Sequence, residues 1–280
     1  MRWMSILFAV QLLFTGCRGL PQPITLSPTM KPSAPSSSRL PDGFQMVVGQ
    51  LVFHSDFPLP ADHRLVRELM TEREYVNQTL GLAPSNESIH VYLFRDADGY
   101  QEFVKLNFPN VPSRRAFFLE TDTRLVVYAH WNDRVAEDLR HEIAHGYMHS
   151  SLPSIPLWLD EGLAEYFEVP RGQSGLNRPH VDLLSDMTEK EHWRPNLPRL
   201  EKLTEAAQLD QRDYAESWAW VYFFLKSPPE RREVLTDYLA QLRSRGADQP
   251  LSVRLAALEV EPGEPLTKYI ASLKQGATAR

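Results

Sequence analysis

Strand-like runs are confined to the first half of the chain, and this segregation narrows the possible folds more than any other feature. FQMVVGQLVF at 44–53 and SIHVYLF at 88–94 are rich in β-branched and aromatic residues. Residues 61–79 between them are polar and helix-periodic, so the order is β-α-β. A helix over 98–106 leads to RRAFFLE and TRLVVYA, two strands separated by the turn Thr121-Asp122-Thr123. Beyond residue 157 there is no convincing strand. Helical patterns run over 157–168, 213–226, 229–244 and roughly 264–273, divided by loops containing Pro and Gly. Strands followed by helices predict an α+β protein. An N-terminal αβ lobe over about 44–150, with a small mixed sheet and a helix at 134–149, precedes a helical C-terminal lobe over about 151–280. No repeat of solenoid or propeller period is present.

The N-terminus reads as an export signal. In residues 1–16, MRWMSILFAVQLLFTG, a basic Arg2 precedes an apolar run too short to span a bilayer but long enough for a signal-peptide core. Cys17, the only cysteine, excludes an internal disulfide. From Leu20 to Pro41 the chain is rich in Pro and Ser without hydrophobic periodicity, the composition of an extended tether. Leu13-Phe14-Thr15-Gly16-Cys17 resembles the lipobox of bacterial lipoproteins. That resemblance implies lipidation of Cys17, a lipid-anchored tether over 17–43 and a domain over 44–280 held at the bacterial envelope, facing away from the cytoplasm. Phe14 stands where the pattern usually has Leu; cleavage by the ordinary signal peptidase, giving a secreted chain, is the other outcome. A net charge of −6 without a run of Lys or Arg gives no footprint for nucleic acid.

Asn132 or Asp133 is placed to cap the 134–149 helix, whose Val135, Leu139 and Ile143 form an apolar stripe. His141 and His145 project nearly opposite that stripe, about 6 Å apart along the axis. Two imidazoles so spaced suit zinc, bound at roughly 2.0–2.1 Å, and Glu142 lies where it can hold and deprotonate a water. Zinc chemistry needs a third protein ligand. His149, two turns or about 12 Å from His141, is too far to join both histidines and reads as a polar residue near the helix end. Met148 and Ser151 occupy the positions where a metzincin has Gly and its third His. Glu161 is the remaining candidate, on a helix that Pro153 and Pro156 separate from the first, so that the two can fold back antiparallel.

HEIAH followed by PLWLDEGLAEYFE resembles the gluzincin metallopeptidases, the peptidase MA-like group, in which the glutamate of a WLxEG-type segment is the third zinc ligand. The resemblance implies a thermolysin-like arrangement with a cleft between the lobes, Zn2+ on His141, His145 and Glu161, Glu142 as the base, and a peptide or protein substrate. The Gly-Ala-Met-Glu-Asn segment of M1 aminopeptidases is absent, so exopeptidase specificity has no support. Glu165 matches the thermolysin acid that holds a zinc-bound histidine; its alternative is a surface glutamate. Tyr214 resembles the M1 tyrosine that stabilises the transition state, although Ala215, Glu216 and Ser217 depart from that pattern; its alternative is core packing. Trp158, Leu159, Leu163 and Phe167 read as core, Arg114 and Arg115 as a solvated strand end, and the other histidines as surface or structural. The rival to a peptidase is an envelope binding or assembly protein that keeps the fold without cutting, and intact Glu142 and Glu161 favour the enzyme.

Overall fold

The computed structural model describes residues 39–111, 113–244 and 246–278. The signal segment, Cys17 and most of the tether lie outside them. The described chain is α+β. Strands β1 (Phe44–Val48), β2 (Leu51–Ser55), β3 (Ile89–Phe94), β4 (Ala116–Glu120) and β5 (Leu125–His130) form one mixed sheet of order β1-β2-β3-β5-β4. The inner pairs β2–β3 and β3–β5 are parallel; β1–β2 and β4–β5 are antiparallel. The expected single run at 44–53 is thus a hairpin. Gly49 breaks it by supplying the positive φ, 58°, that a two-residue hairpin turn requires.

Alternation along the strands divides two cores. Phe117 and Leu119 of β4 and Val126 and Tyr128 of β5 face helix α2 (Ala97–Asn107), where they meet Tyr100, Phe103 and Val104. Phe118 and Val127, with Phe53, Val91 and Leu93, face the opposite way onto α1 (Arg64–Leu80) and α3 (Val135–His149). Each such buried side chain contributes roughly 1.5–3 kcal/mol relative to exposure. Helix α3 has neighbours all round: α1, the sheet and α4 (Leu157–Phe167) enclose it, and every residue from Asp138 to Met148 is buried. The single apolar stripe read from the sequence understated this. Arg134, not Asn132 or Asp133, is the N-cap, because Asn132 Oδ1 is spent one residue earlier, accepting from the Arg134 amide at 2.7 Å to close the turn out of β5.

The helical half comprises α5 (Arg178–Glu191), α6 (Leu197–Leu200), α7 (Gln211–Lys226), α8 (Pro229–Ser244), α9 (Leu251–Leu258) and α10 (Gly263–Thr278). Its centre is α7, almost wholly buried from Asp213 to Leu225. A capping box fixes where α7 begins: Asp210 accepts from the amides of Arg212 and Asp213 at 2.8 and 3.1 Å, and Asp213 returns the bond to the Asp210 amide at 3.0 Å. Tyr214 therefore sits in the first turn. Helix α4 lies against α7 at close range, because a Cβ on Gly162 would stand 2.6 Å from the Ser217 carbonyl oxygen. Only glycine permits that approach. No described helix is long and apolar enough to cross a membrane.

Candidate metal centre

Helices α3 and α4 run antiparallel, and their register assembles the motif. His141 Nε2 and His145 Nε2 lie 3.3 Å apart, with Glu161 Oε2 3.5 Å from the first and 3.7 Å from the second. The two separations from Glu161 are longer than ordinary hydrogen bonds. Ligand atoms around one tetrahedral zinc stand about 3.3 Å apart, and atoms with the observed separations lie on a circle of radius about 2.0 Å, the length of a zinc–ligand bond. Glu161 is wholly buried, and neither of its carboxylate oxygens has a hydrogen-bond partner. An ionised carboxylate in that setting costs several kcal/mol unless a cation meets it. His141, His145 and Glu161 thus form a buried group placed to hold a metal ion.

The outer nitrogens of the two histidines are each held by a carboxylate. His145 Nδ1 faces Asp160 Oδ1 at 2.9 Å, near the start of α4; His141 Nδ1 faces Glu168 Oε2 at 3.0 Å, just past its end. Both contacts leave Nε2 turned to the centre and fix the ring planes. Burial would lower the two imidazoles, yet the surrounding carboxylates outweigh it: His141 is held well above its ordinary value by Glu161 and Glu168, and His145 is raised to about 9, chiefly by Asp160. A cation entering the centre takes the place of these protons.

Glu165 stands elsewhere than expected. It accepts from His180 Nε2 at 2.8 Å and from Asn177 Nδ2 at 3.3 Å, and the acid on the motif histidine is Glu168. The reason is helical: two turns on from Glu161 return within about 20° of its direction, whereas one turn overshoots by about 40°. Glu168 is itself braced by Asn177 Nδ2 at 3.1 Å, and Arg140 donates to its backbone carbonyl. Burial and the neighbouring Glu165 push Glu168 up to about 8, while His180 outweighs burial to hold Glu165 at about 2. His180 is a buried structural residue.

His149 ends α3, as read from the sequence, but its side chain is buried and bonded there. Its side chain is 7% exposed, with Nε2 2.8 Å from Asp160 Oδ2 and Nδ1 2.6 Å from Glu120 Oε2, at the end of β4. Burial is outweighed by these two carboxylates, Asp160 foremost, which push its pKa up to about 10. Asp160 is correspondingly held below the usual carboxylate range against the effect of burial.

Glu142 and Tyr214 are brought to the same centre. Burial raises the Glu142 carboxyl, opposed by the motif histidines and Arg114. Burial and the Glu161 charge raise the Tyr214 phenol, whose hydroxyl has no hydrogen-bond partner. Tyr100, which the sequence did not single out, presents a second unpartnered hydroxyl, raised by burial and by Glu142. Arg114 acts on both phenols, so the arginine read as a solvated strand end faces the centre; Arg115 instead pairs with buried Asp138 at 2.7 Å. Tyr100 and Arg114 also bound a cavity of about 250 Å3 with Val104, Phe108 and Val111. The centre itself is closed: exposure is 0% at Glu161, 1% at His145, 3% at Glu142 and 2% at Tyr214.

Residues 135–251 match the model of a protein family of unknown function, DUF1570. The matched segment holds the three candidate ligands, Glu142, His149, Asp160, Glu165, Glu168 and Tyr214, and leaves out the sheet with Glu120, as well as Tyr100 of α2 and Arg114. No curated protein matches the chain. The family's description assigns no activity, so a functional reading rests on the residues.

Proposed function

We propose that this chain is a zinc-dependent peptidase of gluzincin type that hydrolyses peptide bonds in peptide or protein substrates, tethered outside the cytoplasmic membrane through Cys17. One observation carries the reading: a buried, unpartnered Glu161 carboxylate completes a triangle of zinc-ligand dimensions with two histidine nitrogens, and a second buried carboxylate, Glu142, adjoins it. His141, His145 and Glu161 would hold the ion. Zinc in such a site polarises a carbonyl and lowers the pKa of water.

The remaining work falls to the chain's own groups. Glu142, destabilised as an anion by burial, accepts a proton from the attacking water and delivers it to the departing amine. Tyr214 keeps its proton and has no partner within the protein, so its hydroxyl is free to donate to the oxygen on which negative charge develops. Asp160 and Glu168 keep both histidines in the tautomer that presents Nε2.

The second reading, a binding or assembly protein that retains the centre without cutting, is favoured by the closure of the site to solvent. Glu142→Gln separates the two. On the enzyme reading, the zinc-loaded variant keeps its metal stoichiometry and fold, while turnover of a mixed peptide library falls by about a hundredfold to ten-thousandfold. Parental turnover by that variant, or no chelator-sensitive turnover by the parent, would defeat the peptidase reading.

A further inference from the structure

We propose that His149, backed by Glu120, is a positioning residue for the metal centre: it clamps Asp160, and through Asp160 it fixes the plane and tautomer of His145. The inference rests on His141, His145 and Glu161 being the metal ligands. Four groups stand in line from the edge of the sheet to the centre. Glu120 Oε2 is 2.6 Å from His149 Nδ1, His149 Nε2 is 2.8 Å from Asp160 Oδ2, and Asp160 Oδ1 is 2.9 Å from His145 Nδ1.

Each link is needed for the next. A carboxylate bonded at one oxygen can still swivel about its Cβ–Cγ bond, and the imidazole it holds can tilt with it. Asp160 is bonded at both oxygens, from two turns of α3, so its plane is determined. Because both oxygens accept, His149 must donate from Nε2. Its ring is held in turn by Glu120 on one side and by Phe118, whose centroid is 5.1 Å away, on the other. Phe118 also stacks on His145 at 5.9 Å and 20°. The last two inward or polar positions of β4 that face α3 therefore both serve the orientation of one ligand.

Another occupant of this cluster would be a second metal ion between His145, His149 and Asp160. The separations decide against it, since 2.8 and 2.9 Å are hydrogen-bond lengths, shorter than the roughly 3.3 Å expected between atoms sharing a tetrahedral ion. His145 also has only one nitrogen on this side, and Asp160 already takes it.

The test uses the full chain, loaded with zinc for affinity by competition against a chromogenic chelator, and with Co2+ for its visible absorption spectrum. His149→Phe should weaken zinc binding about tenfold to a hundredfold and alter the cobalt spectrum. His149→Gln, whose amide nitrogen can still donate to Asp160 Oδ2, should restore most of both. A role in packing alone would lower thermal stability and leave affinity and spectrum at parental values. A folded His149→Phe with affinity within threefold of the parent and an unchanged spectrum overturns the proposal, as does a Gln variant no better than Phe. If His149→Phe does not fold, Glu120→Ala at the strand end decides: weaker zinc binding with a cobalt spectrum altered from the parent's supports the clamp, and parental binding with a parental spectrum overturns it. A parent chain that takes up no zinc fails the ligand assignment itself, a result distinct from any of these.

Discussion

Tyr214 is the residue on which the chemistry and the packing of the centre can be told apart. Its buried hydroxyl has no partner, and burial and the Glu161 charge both raise the phenol. Tyr214→Phe should therefore keep zinc content and cost turnover about a hundredfold, or about 3 kcal/mol, the loss seen for a single oxyanion donor. Steady-state kinetics of the zinc-loaded variant check this; a rate within threefold of the parent would make Tyr214 a packing residue. At this scale the sequence was most legible where partners are four apart on one helix. His141, Glu142 and His145 could be placed from periodicity alone, and Glu161 from the WLDEG resemblance. Asp160 and Glu168 could not, because which carboxylate meets which imidazole depends on the register of α3 against α4. Glu165 was chosen for the spacing that another structure uses, and here that acid serves His180. His149 continued the four-residue spacing and was set aside as too distant to join both motif histidines, and its bond to Asp160 needed the fold.

Elements set the tolerance of the centre. Helix α4 brings Asp160 and Glu161 to α3 on one face and presses Gly162 against the α7 backbone. Gly162→Ala should be destabilising despite its better helix propensity, since its Cβ would meet a backbone oxygen that cannot rotate away. A loss of about 1–3 kcal/mol in denaturant melts of the metal-free protein is expected from such overpacking. Displacement of α4 should also weaken zinc, measured by chelator competition. An alanine variant as stable and as tight-binding as the parent would show that the helices have room to spare. The helices α1, α2, α3, α4, α7, α8 and α10 were legible as runs of helical pattern between Pro- and Gly-containing breaks. Helix α5 was passed over, although the Asn177 cap and Pro179 mark its start and Val181, Leu184 and Met187 line its buried face. The first hairpin was merged into one strand because a lone Gly49 is weak punctuation until its φ is known.

For the whole molecule, the protons stored around the centre make stability depend on pH. His149 is raised to about 10 and His145 to about 9 from 6.5, and Glu168 to about 8 from 4.5. Groups raised in the folded state stabilise it fully below their unfolded values, and that contribution is lost as pH rises through the folded ones. Between about pH 6.5 and 8 the metal-free folded chain holds more protons than the unfolded chain. Its stability should therefore fall with rising pH, by up to about 1.4 kcal/mol per pH unit for each proton held differentially. Urea melts of the chelated protein at pH 6.5, 7.5 and 8.5 test the sign, and zinc, by taking the place of the His145 proton, should flatten the trend. The closure around Glu161 and His145 would also give a bound metal a clock. A chelator could not touch an ion held at that depth, so its removal would await a transient parting of the surrounding helices. Stripping should speed up with chelator concentration only to a plateau, and that plateau would be the opening rate of the protein, the upper limit on how fast anything the size of a peptide can be admitted.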